Sequence, residues 1–166
     1  AFDAIDLSPT AVKRVKHIVA GDPELADKVR VEVGQADDFK VFGDTKYDLI
    51  IINSVMQYFA DEEYLRRVLS GWMKRLTPGG VLFCGDVRNL NYLEAFHWSI
   101  LEHRGISRQA ADVFDLQVAN EIELLVDPAL FFEVECQEGT PARARVEMKE
   151  GPSASELVRF RYDVWI

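Results

Sequence analysis

Side chains that could do chemistry gather at four places in this 166-residue sequence, each at the end of an apolar or alternating run. Asn53 and Ser54 follow Leu49-Ile50-Ile51-Ile52, with Gln57 and Tyr58 close behind. Asp86 and Arg88 follow the apolar run at 81–84. Asp6 closes the alternating stretch at 1–7, and Ala36-Asp37-Asp38 follow the alternating VRVEV at 29–33. A carboxylate at the first strand end can accept two hydrogen bonds from a ribose diol. An acid at the second can accept the exocyclic amine of adenine while a neighbouring backbone N–H meets a ring nitrogen. Two acidic strand ends in succession therefore fit a nucleoside lying across adjacent strands. The plain alternatives are an acid favoured by a helix dipole at Asp6, a solvated loop at Asp38 and a structural ion pair at Arg88. His97, on an apolar helical face, is more often a core histidine than a catalyst.

The elements that must position these groups follow from periodicity. Residues 49–52 show no alternation, which suits a strand buried on both faces in a parallel sheet covered by helices. In such sheets ligands bind beyond the carboxyl ends of the strands. Ser8-Pro9 is an N-cap with proline in the first helical turn, and Val12, Val15, Ile18 and Val19 recur at helical spacing up to Gly21. Residues 61–76 carry one broad apolar face, from Tyr64 and Leu65 to Met73 and Leu76, and Thr77-Pro78-Gly79-Gly80 stops them. A helix at 90–104, a second helical region at 107–126 and a short helix from Asp127-Pro128 form an excursion with no strand in it. The segments 142–148 and 157–166 alternate around a turn signal at 149–153, which reads as a hairpin. The expected fold is α/β: a mostly parallel sheet with one antiparallel edge, in a single domain, with 90–135 as a helical lid.

Bulk properties exclude several classes. The net charge of −9 leaves no basic patch of the size nucleic-acid binding needs. No apolar run reaches the 18 or so residues of a membrane span. Cys84 and Cys136 are far apart without metal spacing, so reduced thiols in a cytoplasmic protein are expected, and no metal site.

NSVMQYF at 53–59, the spacing on to Tyr64-Leu65 and Val68-Leu69, PGG at 78–80, GDVRNL at 85–90, ELLVDPALF at 123–131 and ELVRFRYDVWI at 156–166 together resemble the N-methyltransferase domains of nonribosomal peptide synthetases. These are class I, Rossmann-like methyltransferases that use S-adenosylmethionine. The resemblance implies that Asp6, with Leu7 and Ser8 beside it, meets the ribose. It places the Ala36 backbone and the Asp37 carboxylate at adenine, and Asn53 and Ser54 by the methionine and sulfonium part. Gln57 is assigned to both the cofactor and the acceptor side; Tyr58, Asp86, Arg88 and His97 face the acceptor. That acceptor is the α-amine of an aminoacyl group, held as a phosphopantetheine thioester on a carrier protein, with an adenylation domain alongside. For such a displacement Asn53, Tyr58 or Asp86 could aim the amine lone pair, and Arg88 could pair with Asp86 or meet the pantetheine phosphate.

Family members begin with a further strand and a glycine-rich loop before the segment matching residues 1–7, so the sequence reads as an N-terminally truncated domain. The expectation is an opened sheet, and weak cofactor binding by residues 1–166 alone. Two rival readings remain: a nicotinamide oxidoreductase, which also uses an acid for ribose, and a degenerate domain acting as a docking module.

Overall fold

In the computed structural model, which describes residues 1–106, 111–134, 143–151 and 155–166, Ser8 turns the chain out of its first strand. Strand β1 (Phe2–Asp6) passes directly into helix α1 (Pro9–Ala20), because the Ser8 side chain accepts the Ala11 N–H and Pro9 opens the helix. Proline there forfeits no helical bond, since the first N–H groups of a helix have no partner within it. A single turn, α2 (Pro23–Ala26), not foreseen in the sequence, is capped by Asp22 and leads to β2 (Val29–Val33). β1 and β2 run parallel, with Asp6 opposite Val33.

The described residues form two compact units, Ala1–Tyr47 and Asp48–Ile166. In the first, Arg30 Nε donates to Asp3 Oδ1 at 2.7 Å and the Tyr47 hydroxyl donates to Asp3 Oδ2 at 2.8 Å. Burial and this bond to Asp3 push the Tyr47 hydroxyl up to about 12. A raised folded-state value means that Tyr47 contributes its full stability below the unfolded value of about 10 and loses it as pH rises through about 12. An alkaline titration of tyrosinate absorbance, differenced against Tyr47→Phe, is therefore expected to show this tyrosine ionising near pH 12. An ionisation near 10 would refute the coupling to Asp3.

The second unit takes up the rest of β3 (Tyr47–Asn53), followed by α3 (Glu62–Met73) and β4 (Leu76–Arg88). Asp61 caps α3 by accepting the Tyr64 N–H at 2.7 Å. Leu65, Val68 and Leu69 on its inner face are fully buried, with Trp72 and Met73 nearly so. Thr77 Oγ1 donates to Asp48 Oδ1 at the start of the β3–β4 pair, and Ser54 N–H donates to the Gly85 carbonyl at its end. The two strands therefore run in the same direction, with α3 as the crossover. Helix α3 ends sooner than the periodicity suggested, and Leu76 and the Pro78-Gly79-Gly80 segment already belong to the strand.

Sheet order in this unit is β3-β4-β6-β5. Strand β6 (Arg161–Trp165) is antiparallel to both β4 and β5 (Arg145–Met148), which is the expected terminal hairpin. The second arm of that hairpin is shorter than expected, because Glu156–Arg159 closes a helical turn, α6, on the Ser155 carbonyl. The described strands thus fall into a two-stranded sheet, β1-β2, and this four-stranded one. The fold class is α/β and Rossmann-like, strands alternating with helices in parallel pairs, with an antiparallel pair at the C-terminus.

Burial on both faces of β3 is not observed. Side chains alternate across a strand, and while Ile52 is buried, Leu49 and Ile51 are 50% and 56% exposed. Likewise α1 buries Val12 but leaves Val15 and Ile18 exposed.

The excursion after β4 begins with a turn capped by Asn89, then α4 (Leu93–His103) and α5 (Ala111–Ala119). It is not wholly helical. Val126 forms a parallel bridge with Asn89, donating its N–H to the Arg88 carbonyl and accepting from Leu90 N–H. The buried Tyr162 hydroxyl donates to the same Val126 carbonyl at 2.9 Å. Asp127 then caps a 3-10 turn, Pro128–Phe132. Cys84 is a buried free thiol, which burial pushes up to about 12; Cys136 lies outside the described residues, as do Ala142 and the Pro152 and Ser153 part of the turn.

Candidate active site

In the first unit the parallel register brings Asp6, Leu7 and Ser8 beside the loop that holds Ala36 and Asp37. Gly34 N–H donates to the Asp6 carbonyl at 3.1 Å. Asp6 Oδ1 accepts the Ser8 N–H at 2.7 Å, and its other oxygen has no hydrogen-bond partner among the described residues. Asp38 acts locally, since its Oδ2 accepts the Gln35 N–H at 2.7 Å and closes the loop. Leu7 is exposed.

In the second unit the ends of β3 and β4 meet around Asp86. Ser54 and Asp86 are the non-glycine residues with positive φ among those described, at 57° and 60°. Such left-handed backbone is uncommon outside glycine, though less so for aspartate, and gathers at functional sites, at about 1–3 kcal/mol each. The Ser54 hydroxyl donates to Asp86 Oδ2, and Asn53 Nδ2 donates to Ser54 Oγ at 3.0 Å. Gly85 permits this approach, since a Cβ there would stand 2.0 Å from Asn53 Oδ1. Lys149, just beyond β5, binds Asp86 Oδ1 at 2.5 Å and Asp163 Oδ1 at 3.2 Å. Asp163 Oδ1 also accepts the Asp86 N–H at 2.9 Å. Burial alone would raise the Asp86 carboxyl, but the hydrogen bonds and charge of Lys149 and the Ser54 hydroxyl hold it below its usual value.

Gln57 is 6% exposed; its Nε2 donates to the Ser54 carbonyl at 3.1 Å, while its buried Oε1 has no partner among the described residues. Buried amide oxygens are rarely left unsatisfied, so this oxygen has capacity for one further donor. Tyr58, by contrast, is 73% exposed.

Arg88 does not pair with Asp86. Its buried guanidinium meets Glu121 at 2.9 Å and Glu123 at 3.1 Å, and lies 4.7 Å from the Phe96 ring centroid. Burial raises the Glu121 carboxyl, and the bonds and charge of Arg88 with the Glu123 N–H more than reverse that. His97, also buried, has Nε2 3.3 Å from Glu121, close enough for an ion pair if protonated. The angles are too poor for a hydrogen bond, and neither ring nitrogen has a partner among the described residues. Sequence reasoning missed Lys149, Asp163, Glu121 and Glu123. A buried arginine at the end of β4 requires carboxylates nearby, and the Glu-x-Glu at 121–123 was the available signal. Among the described residues no group of three or more His, Cys, Asp or Glu could hold a metal.

Residues 1–82 match a methyltransferase domain family. Over 168 aligned residues, 99% of this chain is 36% identical to chondramide synthase cmdD of Chondromyces crocatus. By these matches the chain carries a methyltransferase domain. Cyclosporin synthetase simA of Tolypocladium inflatum is 30% identical over 98% of the methyltransferase. The methyltransferase spans only 4% and 1% of these two synthetases. Among solved structures it is similar in fold to the N-methyltransferase NodS of Bradyrhizobium japonicum, with TM-score 0.56, 17% identity, and coverage of 98% of this chain and 70% of that one.

Proposed function

We propose that this methyltransferase is the N-methylating domain of a nonribosomal peptide synthetase, acting on the α-amine of an aminoacyl thioester held by a carrier protein. The observation that carries the reading is the Asn53–Ser54–Asp86 cluster at the ends of β3 and β4, in a chain alignable to synthetases along nearly its whole length. A carrier's phosphopantetheine arm and an adjacent adenylation domain are its proposed partners.

Each unit by itself carries groups suited to one part of S-adenosylmethionine. In the first unit, the free oxygen of Asp6 suits a ribose hydroxyl, flanked by Leu7 and Ser8, and Ala36 and Asp37 offer a backbone N–H and a carboxylate to adenine. In the second, Asn53, Ser54 and the orphaned Gln57 oxygen suit the polar methionine end. When bound, S-adenosylmethionine supplies a methyl group already activated as a sulfonium. What the protein adds is alignment, which can be worth about 7–11 kcal/mol in well-placed systems. Asp86, Asn53 or the Tyr58 hydroxyl accepts an N–H and aims the amine lone pair. As the N–C bond forms and the C–S bond breaks, the nitrogen becomes positive and must give one proton to solvent. His97, beside Glu121, lies on the same excursion, and Arg88 fixes the Glu121–Glu123 segment there.

Two measurements test the reading. Release of S-adenosylhomocysteine should depend on an aminoacyl carrier and fall to background with a hydroxyacyl carrier; equal release would contradict an amine acceptor. In the natural full-length polypeptide, Asp6→Ala should weaken S-adenosylmethionine and S-adenosylhomocysteine alike. Loss of a charge-assisted hydrogen bond costs about 1.5–3 kcal/mol, or roughly tenfold to a hundredfold in affinity. Unchanged calorimetric affinity for both would remove Asp6 from the site.

A further inference from the structure

We propose that Lys149 is a positioning residue that compensates the charge of Asp86, so that the acceptor amine docks in its neutral, nucleophilic form. This rests on the reading of Asp86 as the group that meets the acceptor amine. An α-amine has a pKa of about 7.7–8.0, so at neutral pH most of it carries a proton and has no lone pair. A bare carboxylate would make this worse, because an opposite charge within about 4–6 Å favours the charged form. Asp86 is not bare. Lys149 sits 2.5 Å from Oδ1, Ser54 donates to Oδ2, and the Arg161 guanidinium reaches the Asp86 carbonyl at 3.4 Å.

The ionisable groups about Asp86 come from separate elements. Lys149 follows β5, Asp163 and Arg161 lie on β6, and Glu156 on α6 binds Arg161 at 2.7 Å. Lys149 therefore bridges two carboxylates, Asp86 and Asp163, and is itself only 24% exposed. Within this arrangement Asp86 retains lone pairs to accept an N–H, while the ammonium of Lys149, shared with Asp163, weakens its hold on a second cation. The proton that the amine sheds on binding goes to solvent, and binding is thereby coupled to its release.

Proton release can be counted without any turnover. With S-adenosylhomocysteine bound, an aminoacyl-pantetheine thioether is titrated into the natural full-length polypeptide in buffers of different ionisation enthalpy at pH 7. The wild type is expected to release close to one proton per ligand bound. Lys149→Met should release well under half of one, and its kcat profile for the corresponding thioester should shift to higher pH, with activity largely recovered there. Lys149→Arg should restore both. Asp86→Asn combined with Lys149→Met removes both charges and should release a full proton again. Proton release unchanged in Lys149→Met, or a uniform loss of activity at every pH, would overturn the inference. If the wild type neither binds the thioether nor methylates any aminoacyl thioester, the proposed function has failed instead.

Discussion

Asp86→Ala is expected to lower methyl transfer to an aminoacyl thioester by about 10²-fold while S-adenosylhomocysteine affinity stays within about threefold of wild type. A charge-assisted bond of about 1.5–3 kcal/mol is lost, and with it the aim of the lone pair, where small displacements are themselves costly. The cofactor-side groups Asn53, Ser54 and Gln57 keep their backbone supports, since Gln57 holds the Ser54 carbonyl rather than Asp86. Tyr58→Phe should cost less, because Tyr58 is exposed and its hydroxyl stays in reach of water. Single-turnover kinetics paired with calorimetry would show the split. Full turnover in Asp86→Ala, or a parallel loss of cofactor affinity, would move Asp86 out of the acceptor site.

Arg88→Ala should act on stability instead. Removing one partner of a buried ion pair costs about 3–5 kcal/mol, because the remaining charges are left uncompensated with little water about them. Arg88 faces two carboxylates, Glu121 and Glu123, with side chains only 12% and 29% exposed. Against a domain stability of about 5–15 kcal/mol the loss is large. Since Arg88 and Val126 also share a backbone bond, the effect should fall on 86–132. Hydrogen exchange of the described residues of that segment in the natural full-length polypeptide should quicken by about 10²- to 10⁴-fold. Exchange close to the wild-type rate would mean that the cluster is solvated and contributes little.

Much of this was legible in the residues. The alternation at 29–33, the Ser8-Pro9 cap and the apolar face of α3 each rest on local chemistry, and they appear where the local pattern put them. The strand-end clustering of Asn53, Ser54 and Asp86 was legible for the same reason. What local pattern cannot carry is pairing across the sheet. Nothing around Lys149 in the sequence distinguishes it from a solvated turn lysine; the antiparallel register of β5 and β6 brings it to Asp86. Arg88 shows the converse, since its partners come from the excursion rather than from its own strand end. The exposure of Leu49 and Ile51 also escaped, because an unbroken aliphatic run says that two faces are apolar and not that both are covered.

Which atom receives the methyl group is the most direct test. The natural full-length polypeptide would be given S-adenosylmethionine with an isotopically labelled methyl and its aminoacyl-loaded carrier, and the product ejected and sequenced by tandem mass spectrometry. One labelled methyl on the α-nitrogen of the aminoacyl group is predicted. A label on oxygen or carbon, or an unlabelled aminoacyl group despite saturating cofactor, would contradict an N-methylating domain.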